Sequence, residues 1–138
     1  MMTGLKPQLA IELGGKTRAV AFGIPECLAL AKRLDGKDPL SFLLEGGDSL
    51  TFCVEALFCG LADKRADRVD PAQVGEWLGA WDGDLADLQW DLMFLWARAQ
   101  PKKRAADLVA VLDRTRVNQK LPPHAWGAET PPVPTPAG

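Results

Sequence analysis

This 138-residue sequence is poor in the side chains that most often carry catalysis and metal binding. It has one histidine, His124, and three cysteines, and the spacing between Cys53 and Cys59 fits no familiar zinc motif. Because the lone histidine lies in a proline-rich terminal stretch, no Ser-His-Asp set can form in the body of the chain. We therefore expect a protein that is not an enzyme and that uses no metal or other cofactor.

Long apolar runs are also missing. No stretch approaches the about 20 residues of a membrane span, and the N-terminus lacks the basic-then-apolar layout of a signal peptide. The formal net charge of −2 does not favour nucleic acid or an anionic membrane as a partner. We expect a cytoplasmic protein with buried, reduced thiols and with no nucleic-acid, membrane or small-molecule partner.

Two stretches resemble ligand sites only in part. Gly14-Gly15 lacks the spacing and the following Lys-Ser/Thr of a phosphate-binding loop. The acidic run WDGDLADLQWD, residues 81–91, has leucines at ligand positions of a calcium loop, and Met93 lies where its closing glutamate would fall. We interpret the glycines as a turn and the aspartates as helix caps.

The first patterned segment is QLAIELGGKTRAVAF, residues 8–22, which predicts a two-stranded hairpin. Large apolar residues alternate on both sides of Gly14-Gly15, and this pair suits a two-residue turn that opposes Leu13 to Lys16. An isolated hairpin is only marginally stable, so its apolar face must be covered. The outer strand, weakly guarded by Lys16 and Arg18, is expected to remain an edge with which another chain can pair.

Helical spacing of apolar residues continues from residue 25 to residue 120. Asp-Pro pairs at 38–39 and 70–71 mark helix starts. The segment 50–61 is apolar nearly all round, which predicts the most buried element. We expect an α+β fold: about five helices packed with the N-terminal hairpin in a single compact domain, residues 1–120. The proline-rich residues 121–138 are expected to form a disordered tail that folding does not need.

Charge and tryptophan placement indicate a protein partner. The segment 98–120 holds 7 Lys or Arg against 2 Asp or Glu, whereas the rest of the chain is acidic. We expect the basic face of the last helix, with Lys102, Lys103 and Arg104, to steer an acidic client. Trp90 lies off the leucine stripe of its helix, so we expect it to be exposed and to anchor that client.

Three segments together resemble the tail assembly chaperones of long-tailed phages and gene transfer agents. They are the hairpin AIELGGKTRAVAF, the helix PECLALAKRL, and the pair SLTFCVEALFCGLAD and DPAQVGEWL. The segments match in the type of residue pattern and in their order along the chain. The resemblance covers residues 9–22, 27–34, 50–62 and 70–78, and beyond Asp82 it extends only to helical character.

The resemblance implies a non-enzymatic protein that binds the tape measure protein, a long helical protein that sets tail length. It also implies that tail tube subunits are partners, because such chaperones help them to polymerise around the tape measure. Self-association is compatible with this role. An alternative stays open: a permanent structural or adaptor protein of a phage tail or head–tail connector, or a host-encoded protein-interaction domain.

Overall fold

The computed structural model describes residues 8–127 of the chain. Within them the elements are β1 (Gln8–Leu13), β2 (Lys16–Ala21), α1 (Ile24–Arg33), α2 (Pro39–Leu44), α3 (Ser49–Gly60), α4 (Pro71–Gly79), α5 (Leu85–Arg98) and α6 (Lys102–Asn118). This order confirms the α+β class and the N-terminal hairpin, with six helices in the described range instead of about five.

The hairpin has the predicted register. Gly14 and Gly15 have φ angles of 63° and 85°, which a primed two-residue turn requires. Leu13 lies opposite Lys16, and the pairing continues without a bulge to Gln8 opposite Ala21. The alternate residues that face inward are buried: Ile11, Leu13, Arg18 and Val20.

The outer edge of β2 is closed by the chain itself. Val20 pairs with Leu61 in an isolated antiparallel bridge, and the N–H of Ala62 donates to the carbonyl of Ala19 at 3.0 Å. A Cβ on Gly60 would lie 2.7 Å from the Val20 side chain, so glycine permits this close approach. The prediction that this edge is open to another chain is therefore wrong at the bridge, because the end of α3 already occupies it.

Helix α3 is the central support of the hairpin. Asp48 caps it by accepting the N–H of Thr51 at 2.9 Å, and the helix contacts β2 and four of the other helices. Phe52 and Leu57 are fully buried, whereas Leu50 is 48% exposed. The buried side of α3 thus includes Phe52 and Leu57, and β2 and α5 are among the elements in contact with the helix.

Helix α5 is buried even more completely than α3. Eight of its 14 residues are buried, compared with six of 12 in α3. Over residues 50–61, which include the buried Leu61, seven of 12 are buried, so the segment predicted to be the most buried and α5 are buried to about the same extent. Helix α5 lies between α3 and α6, with β1 also in contact. Asp84 begins this helix by accepting the N–H groups of Ala86 and Asp87.

The cysteine side chains lie in the interior. Burial raises the pKa of the Cys53 thiol to about 12 and that of Cys59 to about 11, so both are neutral thiols near neutral pH. In residues 8–127, no group of three or more His, Cys, Asp or Glu side chains is placed to hold a metal ion. No helix in the same range is long and apolar enough to cross a bilayer.

We expect Leu57→Asp to lower the free energy of unfolding by roughly 4 kcal/mol or more, because it places an unpaired charge in the core. Leu50→Asp is the matched control on the same helix and should cost less than about 1 kcal/mol, because that side chain is half exposed. Urea denaturation of the two variants measures the difference. Equal costs would contradict the assignment of the buried face.

Candidate partner-binding surfaces

Arg18 is a buried structural residue and does not guard an edge. Its side chain is 5% exposed, and its Nε donates to the carbonyl of Leu13 at 2.8 Å. Its Nη1 donates to the carboxylates of Asp63 at 3.2 Å and Asp67 at 2.8 Å. The guanidinium carbon lies 4.1 Å from the ring centroid of Trp77. The prediction that Arg18 lies exposed at an open edge is therefore wrong, since the side chain is buried and its Nε and Nη1 are bonded within the protein.

Lys16 belongs to the same cluster and lies on its solvent-exposed side. Its side chain is 51% exposed, and its Nζ lies 2.9 Å from Asp67 and 3.5 Å from Asp63. We call Lys16, Arg18, Asp63 and Asp67 the hairpin clasp. Hydrogen bonds from Lys16 and then from Arg18 lower the pKa of Asp67, and the bond to Asp67 raises the pKa of Lys16. The clasp ties the hairpin to the segment after α3.

The clasp predicts a stability loss in acid. Because the folded-state pKa of Asp67 is lower than its ordinary value of 3.8, its stabilising contribution is present above pH 3.8. That contribution disappears as the pH falls through the folded-state pKa. Urea denaturation from neutral pH downward should show wild type and Asp67→Asn converging below pH 3.8.

Lys16→Met should weaken the same pH dependence, because it removes the hydrogen bond that lowers the pKa of Asp67 most. A constant difference between wild type and Asp67→Asn at all pH values would contradict the clasp.

Trp90 is buried, at 8% exposure, and the expectation of an exposed anchor is wrong. The guanidinium carbon of Arg116 lies 4.9 Å from the Trp90 ring centroid, and the ring of Phe94 lies 6.3 Å away. The guanidinium over the ring comes from α6, and the local sequence around Trp90 gives no sign of its position. Substituting Trp90 therefore disrupts the core and does not probe a binding surface.

The chain after α6 packs on α5. The His124 ring stacks on Phe94 with 4.3 Å between centroids, and its Nε2 lies 2.7 Å from a carboxylate oxygen of Asp91. The backbone N–H of Trp126 donates to Nδ1 of His124 at 3.0 Å. Since Nδ1 accepts this bond, Nε2 carries the proton that is donated to Asp91.

Two arginines hold the backbone of this segment. Arg116 donates to the carbonyl of Pro122 from Nε at 3.0 Å and from Nη2 at 2.8 Å. Arg98 donates to the carbonyls of Trp126 and Gly127. The predicted disordered tail is thus wrong for 121–127, which form an ordered strap, and the remaining residues of that tail, 128–138, lie outside the described residues.

We expect a chain ending at Lys120 to be less stable than one ending at Gly127 by roughly 2 kcal/mol, because the strap buries aromatic surface. Thermal melting of both truncations and of His124→Ala in the full chain measures this. The histidine variant should fall between the full chain and the Lys120 truncation. Identical melting temperatures for the two truncations would show that the strap contributes nothing.

Lys102, Lys103 and Arg104 are exposed, as expected, and form the first three positions of α6. Pro101 precedes them and supplies no side-chain cap. Three cations at the positive end of a helix dipole are locally unfavourable. They are not near Trp90, which contacts Arg116 at the other end of the helix, about 20 Å away at 1.5 Å per residue. Trp90 and the basic residues at the start of α6 therefore do not form the single binding surface that the sequence predicted.

A different surface combines apolar and basic groups. A groove runs between α1 and the end of α3 with the loop that follows, in two hollows of about 760 and 310 Å³. Both hollows are lined by Pro25, Glu26, Cys59 and Lys64, so they are continuous. We call this surface the α1–α3 groove. The half-buried ring of Phe58 lies in one hollow.

The rim of the α1–α3 groove is mainly basic. Lys32, Arg33, Lys64 and Arg65 line it. Two of these cations have partners: Arg33 forms an ion pair with Glu55, and Lys64 donates to the carbonyl of Cys59. Lys32 and Arg65 make none of the ion pairs found in residues 8–127. Glu26 is the acidic residue in the lining, and it accepts the N–H of Gly23.

One exposed apolar side chain of α1, Ile24, lines the groove, and a second, Leu28, lies one helical turn farther along. Ile24 is 44% exposed and Leu28 is 66% exposed, and the four-residue spacing aligns them on one face. Sequence reasoning missed this surface because its walls come from segments about 30 residues apart. One feature of the sequence could have revealed it: Ile24 and Leu28 lie outside the set of α1 residues that face the core, such as Cys27 and Leu30.

Comparison with protein-family models, with curated proteins and with solved structures finds no match to this chain. Function is therefore inferred from these surfaces and from the sequence pattern. Of the surfaces described, the α1–α3 groove has exposed apolar area and uncommitted charge side by side, which is the usual composition of a site that binds another protein.

Proposed function

We propose that this protein is a phage-type tail assembly chaperone, a binding protein that holds the tape measure protein and assists tail tube assembly in the host cytoplasm. The α1–α3 groove is the observation that carries the proposal. It offers apolar area to a client helix and a basic rim to acidic residues on that helix's flanks. Residue patterning in the first 80 positions, which resembles that of tail assembly chaperones, supports the same role.

The physical requirement of such a client fits the groove. A long helical protein with an apolar stripe exposes that stripe until tube subunits surround it, so it needs temporary cover. Helix-in-groove binding uses apolar anchors spaced by three or four residues. On the groove side, Ile24 and Leu28 provide exposed apolar side chains for such anchors to contact, while Lys32 and Arg65 provide charges that steer association and select register.

The decisive experiment asks whether a gene for a very long coiled-coil protein lies beside this one, co-expresses the two, and captures this chain by affinity. The tape measure protein should be recovered with it, and purified finished particles should lack it. Retention of the chain in finished particles would instead identify a permanent tail component. Failure to capture the tape measure protein would overturn the chaperone proposal.

We expect the double variant Lys32→Glu/Arg65→Glu to weaken client binding roughly tenfold or more, because it reverses the rim charge. Lys102→Glu/Lys103→Glu is the matched control: it changes the charge by the same amount on the other exposed basic patch. Fluorescence titration with a client fragment at two salt concentrations compares them. A larger loss in the α6 variant would move the client site to the start of that helix.

A further inference from the structure

The outer edge of β1 is open, unlike that of β2. Ala19 accepts the N–H of Ala62 through a carbonyl that faces away from β1. Ala10 is the cross-strand partner of Ala19, so its own N–H and C=O also face outward, as in every non-hydrogen-bonded pair of an antiparallel ladder. Gln8 and Glu12, two residues to either side, share this orientation. All three are exposed, and within residues 8–127 no other segment makes a backbone hydrogen bond to them.

A cleft runs beside this edge, between β1 and the start of α5. Near the hairpin turn it has a volume of about 360 Å³ and is lined by Glu12, Trp77 and Trp81 among others. Farther along it has a volume of about 180 Å³ and is lined by Ala10, Trp81 and Leu88 among others. Because Trp81 lines both parts, we treat them as one feature, the β1 cleft.

The charged groups that line the β1 cleft are all acidic. They are Glu12, Glu76, Asp82, Asp84, Asp87 and Asp91, with no Lys or Arg among the lining residues. Asp84 is occupied as the cap of α5, and Asp91 holds His124. Glu12, Asp82 and Asp87 take part in none of the ion pairs found between residues 8 and 127.

We propose that the β1 edge binds an extended, basic segment of a partner protein by strand addition. The backbone of the added strand would pair with the outward groups of Gln8, Ala10 and Glu12, along an edge of about 20 Å. Apolar side chains on one face of that strand would contact Trp81 and Leu88, and its Lys or Arg residues would meet the acidic walls. Backbone pairing gives affinity, and the charge selects the partner.

A second copy of this chain is the poorer occupant. Antiparallel pairing of two β1 edges would bring the acidic walls of both copies together, and like charges across an interface are repulsive. The proposed site is also separate from the α1–α3 groove, because the two surfaces share no lining residue. It therefore does not rest on the proposed chaperone function.

The probe is a labelled six-residue peptide that alternates lysine with valine, measured by fluorescence anisotropy. Two matched peptides test the mode of binding: one replaces each lysine by glutamate, and the other carries backbone N-methyl groups on the edge that would pair. We expect both to bind roughly tenfold more weakly than the probe. Equal binding of either matched peptide would overturn the proposal.

Variants of the protein, with the probe peptide unchanged, test the same contacts. Ala10→Pro removes an outward N–H and leaves the bonds between β1 and β2 in place, whereas Ala10→Val keeps that N–H. We expect the proline variant to lose roughly tenfold in affinity and the valine variant to bind as wild type. If Ala10→Pro does not fold, Asp82→Asn/Asp87→Asn replaces it and should weaken binding severalfold.

Lys32→Glu/Arg65→Glu should leave peptide affinity unchanged, which keeps this test independent of the client site. Loss of peptide binding in that variant would place the peptide in the α1–α3 groove and would contradict strand addition at β1.

Discussion

The fold depends on one buried cation. A two-stranded hairpin buries too little surface to hold its own shape. Here Arg18 donates to the Leu13 carbonyl within the hairpin and connects the hairpin to the rest of the molecule through two carboxylates and an indole ring. Asp63 and Asp67 belong to the segment after α3, so the same contacts fix where the central helix ends. A buried arginine without these partners would be strongly destabilising. The clasp therefore specifies the arrangement of sheet and helix.

Local features were predictable, because their causes lie within a few residues. The glycine turn fixes the hairpin register, and Asp38, Asp48, Asp70 and Asp84 each accept a backbone N–H at the start of a helix. Arg18 was predictable in principle, because the correct register places it opposite Ile11 on the inward face. A charged residue at an inward position needs partners inside the fold, and those of Arg18 lie in the segment after α3.

Features that depend on distant segments were not predictable from the pattern. Trp90 lies off the leucine stripe of α5, but it is covered by Arg116 from a helix that begins after a turn. The strap was misjudged because its composition is that of a flexible tail, whereas His124 and Trp126 find partners on α5. The α1–α3 groove and the β1 cleft both arise where separate elements meet. Of the candidate binding residues, Lys102, Lys103 and Arg104 at the start of α6 are exposed, as the sequence predicted.

The dependence of the hairpin on residues 61–67 has a consequence for synthesis. The two strands are adjacent in sequence and can pair within microseconds of leaving the ribosome. Their partners Leu61, Asp63 and Asp67 follow about 45 residues later, a delay of roughly 2–9 s at ordinary translation rates. For those seconds the inner face of the hairpin is uncovered and Arg18 has neither carboxylate. The nascent chain thus exposes an apolar strand face until residues 61–67 have been synthesised.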